Sequence, residues 1–363
     1  MGKRVWGRRV LCAILLAGRL ACPAGAVGTS ASSAALIEQS SGRVLYEQNA
    51  DEERLIASVT KIMTAVVALE HADKGRSYIV TAQDMAEGSS MYLQPGDVLS
   101  LEELLYGLML VSGNDAALAV AHCVAGEVED FVSLMNDTAG KLGLSHTHFA
   151  NPNGLDAEGH YSSALDMARL AAYALENQDF RRIVSTASIT IGERYLANHN
   201  KLLRRCEGCI GVKTGFTKAA GRTLVSAAVR NGMTLVCATL NDGDDWNDHM
   251  ALLDYGFANY RMETAAPAGR VLASVLVREG TVVSVPLAAS EDLRYPLTGD
   301  EKLTVVARVP LSIAAPVVPG QAVGEVCAYL EGEEVAKVDL IATAPSARKQ
   351  QVPAPARWWE RAF

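Results

Sequence analysis

A chain of 363 residues with 49% apolar residues is long enough for two or three domains with buried cores, which excludes disorder as its default state. Its formal net charge of −8 leaves no basic footprint for gripping phosphates, so no nucleic-acid partner is expected.

The chain opens with Lys3, Arg4, Arg8 and Arg9, an apolar run from Val10 to Ala17, and small residues ending Ala24-Gly25-Ala26. This pattern reads as a secretory signal peptide over residues 1–26 with an A-x-A cleavage site, which makes the protein exported and extracytoplasmic. Arg19 cuts the apolar run too short to span a bilayer permanently. It also stands where a lipid-attachment motif around Cys22 would need an apolar residue. Cleavage there leaves Cys123, Cys206, Cys209, Cys237 and Cys327, an odd and scattered set that is no disulfide framework. Cys206-x-x-Cys209 lacks a second pair of ligands, and His146 and His148 lack partners too, so neither a metal nor any other cofactor is expected.

Ala34 to Gln39, a Ser40-Ser41-Gly42 break and Val44 to Tyr46 predict a strand, a turn and a strand. From Ser58 to about Phe180 the period becomes helical, with one apolar stripe through Ile62, Val66 and Leu69 and another through Leu101, Leu104, Leu105 and Leu108. Strands return at Thr223–Val229 and Thr234–Leu240 around the hairpin signal Asn231-Gly232. Pairing them with the early hairpin gives an antiparallel sheet that carries a helical insertion. After Tyr260 short β-rich runs follow at Val271–Val277, Thr281–Val285, Leu303–Val309 and Val335–Ala342, which predict a small all-β domain. The expected class is therefore α+β, with a first domain over residues 30–262, a β-rich domain over 263–345 and a basic tail over 346–363. That tail carries Trp358-Trp359 beside Arg357 and Arg361, residues that favour a membrane interface, so it is a candidate for peripheral membrane contact.

Three strings carry the chemistry. In Ser58-Val59-Thr60-Lys61 the hydroxyl and the amine lie three residues apart, on one face of a first helical turn. Lysine serves as a base for serine only if burial or a neighbouring cation lowers its pKa. Taken alone, Ser58 is more readily a helix N-cap, and S-x-x-K arises by chance about once in a chain of this length; a second copy, Ser346-Ala347-Arg348-Lys349, stands near the end. Ser112-Gly113-Asn114 falls between two helical runs, where Ser112 is placed to relay a proton and Asn114 to contact a peptide backbone, while Asn114 or Asp115 is expected to cap the following helix. Lys213-Thr214-Gly215 follows a strand signal; the ammonium and hydroxyl suit a carboxylate, and the glycine suits a close backbone approach. Arg222 is a further carboxylate candidate, with an ordinary surface arginine as the alternative. The backbone N–H of Ser58 and an amide just past Gly215 would hold an oxyanion.

S-x-x-K with K-T-G is a known signature of penicillin-binding proteins and class A β-lactamases. With Asn151-Pro152-Asn153-Gly154-Leu155, Gly159-His160-Tyr161-Ser162 and Gly211 to Thr217 in the same order, the chain resembles the serine-type D-alanyl-D-alanine carboxypeptidases, the low-molecular-weight penicillin-binding proteins, over about residues 30–345. The resemblance implies a β-lactamase/transpeptidase-like domain followed by a β-rich domain, and removal of the terminal D-alanine from peptidoglycan stem peptides through an acyl-enzyme on Ser58. It also implies acylation of that serine by β-lactams. It gives Lys61 the role of base, Ser112 the relay, Asn114 the substrate amide, Lys213 and Thr214 the carboxylate, Phe216 a share of the oxyanion hole, and Thr217 a substrate contact. His199 departs from the arginine of some members. Rival readings are a β-lactamase, an endopeptidase acting on cross-links, and a silent wall-binding protein.

Overall fold

The computed structural model describes residues 27–350, so the leader over residues 1–26 and the Trp358-Trp359 end of the tail lie outside the described residues. Strands β1 (Ser33–Glu38) and β2 (Val44–Gln48) form the expected antiparallel hairpin. A 3-10 turn over Ala57–Thr60 leads into α1 (Lys61–His71). Then come a hairpin of β3 (Ser77–Ile79) and β4 (Val98–Ser100), and the helices α2 (Leu101–Leu110), α3 (Asn114–Ala125), α4 (Val128–Lys141), α5 (Ala164–Ala174) and α6 (Gln178–Ser185). A second hairpin, β5 (Ser188–Ile191) and β6 (Arg194–Ala197), and the short α7 (Leu202–Arg205) precede β7 (Cys209–Thr217), β8 (Gly221–Arg230), β9 (Met233–Leu240) and α8 (Asp245–Asn259).

The late strands join the early hairpin in one antiparallel sheet of order β2-β1-β9-β8-β7. Every residue of β1 is buried because α5 packs on one face of the sheet and α8 on the other. At the β8–β9 turn Asn231 and Gly232 have φ of +50° and +75°, the left-handed pair that the Asn-Gly signal predicts. Helix α2 starts on a reciprocal cap between Ser100 and Glu103. Helix α1 differs from its one-sided stripe: Lys61 through Ala68 are all buried, because α2, α3, α4, α5 and α6 surround it. The two small hairpins carry no strong alternation and were not foreseen.

After residue 260 come β10 (Arg261–Ala266), β11 (Val271–Arg278), β12 (Ser284–Ala289), β13 (Leu293–Leu297), β14 (Thr304–Arg308), β15 (Ser312–Ala314), β16 (Ala322–Leu330) and β17 (Glu333–Ala342). They form a six-stranded sheet, β14-β16-β17-β12-β11-β15, and a β10-β13 pair around a separate core that includes Val275, Val285, Leu287, Val326 and Leu340. The strand expected at Thr281–Val285 begins only at Ser284, because Glu279 at φ +56° turns the chain first. The start of the expected tail is also paired: Ser346 bridges Val317, Arg348 bridges Gly280, and Ser346 is buried. That placement leaves the second S-x-x-K string in an extended segment with no helix. Arg43, between β1 and β2, ties the two regions together through Glu301 and the Pro296 carbonyl and stacks between Tyr260 and Tyr295. This pairing holds the Glu301 carboxyl down at about 2.

Candidate active site

The 3-10 turn at Ala57–Thr60 packs against β7, the edge strand, and sets Ser58 at its junction with α1. Ala57 has φ +49°, a costly conformation for a residue with a side chain, so its surroundings must hold it there. Thr60 Oγ1 donates to the Ala57 carbonyl at 2.8 Å, and the same carbonyl lies 2.0 Å from where a Cβ on Gly154 would sit. Only glycine fits at 154. Gly215 plays a matching part from the other side, since its Cβ would meet Ser58 N at 2.9 Å and Thr223 Oγ1 at 2.4 Å. The close approach expected at Gly215 is therefore made first of all by the serine's own turn.

Lys61 is fully buried, and its Nζ reaches three oxygens: Ser58 Oγ at 2.9 Å, Asn114 Oδ1 at 2.8 Å and the Asn153 carbonyl. The orientation of Asn114 is fixed because its Nδ2 donates to the Glu87 carbonyl at 2.6 Å, which turns Oδ1 toward the lysine. Two of the three oxygens can only accept. A neutral amine has two N–H groups for them and one lone pair left, which then faces the Ser58 hydroxyl. Burial, and next the charge of Lys213, push the Lys61 pKa well below its ordinary value, against the pull of Asp115. The arrangement thus favours the form of lysine that takes a proton from serine.

Ser112 has φ +62° in the loop between α2 and α3 and faces the same cavity as Ser58. Neither Asn114 nor Asp115 caps α3; Gly113 is the N-cap, with no side-chain bond. The reason is that both side chains are engaged elsewhere. Asp115 is buried and accepts from the amides of Met91 and Leu93 and from Ser90 Oγ, which fixes the 88–94 loop over the site. Gly88 in that loop has φ +91°, and a Cβ there would lie 2.9 Å from Asn114 Nδ2.

Lys213, within β7, is buried, with Nζ donating to the Thr214 carbonyl at 2.7 Å, and desolvation brings its pKa down to about 7. Thr214, Gly215, Phe216 and Arg222 line a cavity of about 580 Å3 together with Ser58 and Ser112. Arg222 is not a free cation: Nη2 bonds both oxygens of Asp245 at 2.8 and 2.7 Å, and its guanidinium lies 5.5 Å from the Trp246 ring centroid. Thr217 faces its own turn, donating to Asp156 and accepting from the Ala220 amide. Lys61, Asn114 and Lys213 stand behind the cavity wall. His199 is part of that wall, and burial together with Lys213 lowers its pKa.

Several residues at the site belong to none of the three catalytic strings. His160, 2% exposed, accepts from the Ala150 amide at Nδ1 and therefore carries its proton on Nε2, from which it donates to Thr60 Oγ1 at 2.8 Å. Desolvation lowers its pKa to about 4, so it stays neutral. Thr64 Oγ1 holds the Pro152 carbonyl at 2.6 Å, and Asn151 Oδ1 accepts from the Gly154 amide. The 151–155 loop is thereby locked with the Asn153 carbonyl against Lys61. The Asn-Pro-Asn-Gly string was the available signal, though turn chemistry alone does not say which catalytic group it serves. All five described cysteines are free thiols, and Cys206 and Cys209 sit beside Arg230 and the Gly211 carbonyl.

The sequence profile of the D-alanyl-D-alanine carboxypeptidase family, peptidase S11, matches residues 22–244, and that of the penicillin-binding protein 5 C-terminal domain matches residues 260–345. The chain is 33% identical over 340 residues to the D-alanyl-D-alanine carboxypeptidase DacF of Bacillus subtilis, covering 89% of this chain and 86% of that one. It is 34% identical to DacC of Escherichia coli, covering 84% and 82%. Among solved structures, penicillin-binding protein 5 of Haemophilus influenzae superposes with a TM-score of 0.75 at 28% identity, over 88% of this chain and 98% of that one. With both domains matched in order, the chain belongs to the D-alanyl-D-alanine carboxypeptidase family of serine peptidases.

Proposed function

We propose that this protein removes the terminal D-alanine from peptidoglycan stem peptides, outside the cytoplasm, through an acyl-enzyme on Ser58 that β-lactams also form. The observation that carries the reading is the lone-pair geometry of Lys61 on Ser58. In the first step Lys61 takes the Ser58 proton, Oγ attacks the penultimate carbonyl, and the oxyanion is held by the N–H groups of Ser58 and Phe216. Removing one such donor typically costs roughly 3 kcal/mol of barrier. Ser112 passes the proton to the departing amine. Thr214, backed by Lys213 and by the Arg222–Asp245 pair, holds the terminal carboxylate, and water then releases the acyl group by the same route in reverse. Asn114 aims Lys61 through Oδ1, and its second Nδ2 N–H, beside the one given to the Glu87 carbonyl, is the donor left for the substrate amide.

Support for export comes from the charged, apolar and small-residue order of the first 26 residues. Membrane contact through the Trp358-Trp359 tail is part of the proposal. Deleting residues 351–363, which spares the paired 346–349 segment, is expected to lower membrane fractionation; no change sinks that part. The main test is mass spectrometry after benzylpenicillin, beside Ser58→Ala, with D-alanine release from a D-Ala-D-Ala peptide. An adduct on Ser58 with alanine released is expected. Absence of both overturns the reading.

A further inference from the structure

The C-terminal sheet has two ends with different surroundings. At one end the β16–β17 turn, through Leu330, Glu331 and Glu333, lines a recess together with Arg43 and Tyr295, so this end abuts the catalytic region. From there β17 runs ten residues, at about 3.3 Å each, to the other end. The chain that follows is held there from both sides: Thr281 N donates to the Ala347 carbonyl at 2.8 Å, Lys349 N to the Glu279 carbonyl at 2.7 Å, and Val317 N to the Ser346 carbonyl at 2.9 Å. The β11–β12 turn, the segment around Val317 and residues 346–349 therefore form one tip, at the end of the sheet away from the catalytic region.

This tip is apolar and faces solvent. Val282, Val283 and Val318 are exposed on it, and Leu276 and Leu311 extend the surface along the sheet. Leu276 lies opposite Ser284 in one neighbouring strand and Ser312 in the other, each one residue from an exposed aliphatic, Val283 and Leu311. Those two side chains are 75% and 93% exposed. Five large aliphatic groups gathered at one end of a small domain are more than the scattered singles of an ordinary surface, and mark a contact site. Beside them Arg278, Arg348 and Lys349 are exposed, against one carboxylate, Glu279, which Arg348 pairs at 2.6 Å. The excess of cations here stands in a chain of formal net charge −8. Aliphatic groups ringed by cations suit the interface of an anionic bilayer, where the first enter the headgroup layer and the second meet lipid phosphates. The continuation of the chain has the same chemistry: residues 351–363 leave from this tip and carry Arg357, Trp358, Trp359 and Arg361.

We propose that the tip of the C-terminal sheet is itself a lipid-docking surface, with Val282, Val283, Leu276 and Leu311 as its apolar contacts and Arg278 and Lys349 as its phosphate contacts. This rests on the membrane contact proposed above and goes beyond it. A tail alone is a tether about which the protein swings, whereas a tail and a rigid tip together fix a direction. Docked so, the sheet stands on the membrane and carries the catalytic region at the far end of β17. The domain behind the tip then has no task except to keep its shape.

The test is co-sedimentation with vesicles of phosphatidylglycerol or of phosphatidylcholine, for the full mature chain and for the chain ending at Gln350, each with and without Val283→Ser/Leu311→Ser. Both substituted side chains are exposed, and a thermal melt of each preparation checks that the fold is kept. The chain ending at Gln350 is expected to keep binding phosphatidylglycerol vesicles in preference to phosphatidylcholine, and the double variant to bind them roughly tenfold more weakly. Arg278→Gln should weaken that binding about fivefold, an effect that added salt removes. If the chain ending at Gln350 binds no vesicles while full-length variant and wild type bind alike, the docking surface is overturned and the contact of the tail stands. Binding by neither chain overturns both. A dimer that forms without vesicles and is broken by Val283→Ser/Leu311→Ser assigns the patch to a second copy of this chain and overturns the lipid assignment. D-alanine release is measured apart from all of these, so the reading of Ser58 stands or falls separately.

Discussion

The catalytic region and the C-terminal sheet bury their side chains by opposite rules. Around Ser58 the interior holds Lys61, Asn114, Asp115, His160 and Lys213, each nearly or wholly buried. Among the described residues beyond 262, Ser346 is the sole buried polar side chain, and the core is aliphatic. A buried polar group is costly unless its partners are all in place. On the proposed reaction the first region accepts that cost because a low dielectric frees the lysine lone pair and concentrates the field on an oxyanion. The second has only to hold a shape, and strand ladders with an apolar filling do that.

The difference predicts where substitutions hurt chemistry. The largest effect is expected from Lys61→Met, which keeps the volume and removes the base: acylation by penicillin should fall on the order of 10⁴-fold while the melting temperature holds or rises, since a buried amine is replaced by an apolar group. A loss smaller than tenfold would transfer the base role elsewhere. Next comes His160→Ala, which leaves the Ala150 amide and Thr60 short of a partner and loosens the Ala57 turn. The acylation rate constant should fall roughly 10- to 100-fold with KM little changed, and His160→Gln, whose amide still donates toward Thr60, should recover most of it. Equal losses in both variants would make His160 a packing residue.

Lys213 gives a smaller, pH-dependent effect. Its folded pKa of about 7 lies below the ordinary lysine value, so it is charged below that pH and neutral above it. The carboxylate partner is therefore lost as pH rises through 7, and kcat/KM for a D-Ala-D-Ala peptide should decline on that alkaline side. Lys61 must be neutral, so the acid side declines as it gains its proton. Lys213→Arg keeps its charge throughout and should push the alkaline decline above about pH 9. An unmoved limb would assign it to another group.

The two regions also differed in how far the sequence revealed them. The five-stranded sheet was legible because the Asn-Gly turn and two unbroken apolar strands leave few pairings. Ser58, Lys61, Ser112 and Thr214 could be singled out as candidates because short fixed spacings carry them, whereas Arg222 belonged to no motif and stood against an ordinary surface arginine as its alternative. What escaped was the support: His160, the Asn153 carbonyl and Gly154 act through contacts made 90 to 100 residues away, as from Lys61 to Asn153 and from Thr60 to His160, and no local pattern encodes them. In the C-terminal sheet β16 and β15 were missed for a related reason. Alternation there is weak because β16 buries three residues in succession, Val326 to Ala328, and β15 is only three residues long, so register comes from the partner strands.

The smallest effect on activity is expected where the largest on stability is local. Leu287 in β12 is completely buried in the aliphatic core of the C-terminal sheet, and Leu287→Ala should remove about 2–5 kcal/mol from that domain. Contact with the catalytic region includes Arg43 against Glu301, Pro296, Tyr260 and Tyr295, none of which lies near Ser58. The acylation rate should therefore stay within about twofold of wild type, since no buried polar partner at the site is disturbed. Calorimetry should split the melting curve, with the earlier transition indifferent to benzylpenicillin and the later one raised by it, because only the acylated domain gains from the covalent ligand. A single transition that moves as one, with acylation lost in proportion, would mean that the two regions fold as a unit, and that the division between a costly polar interior and a plain aliphatic one is not a division of labour.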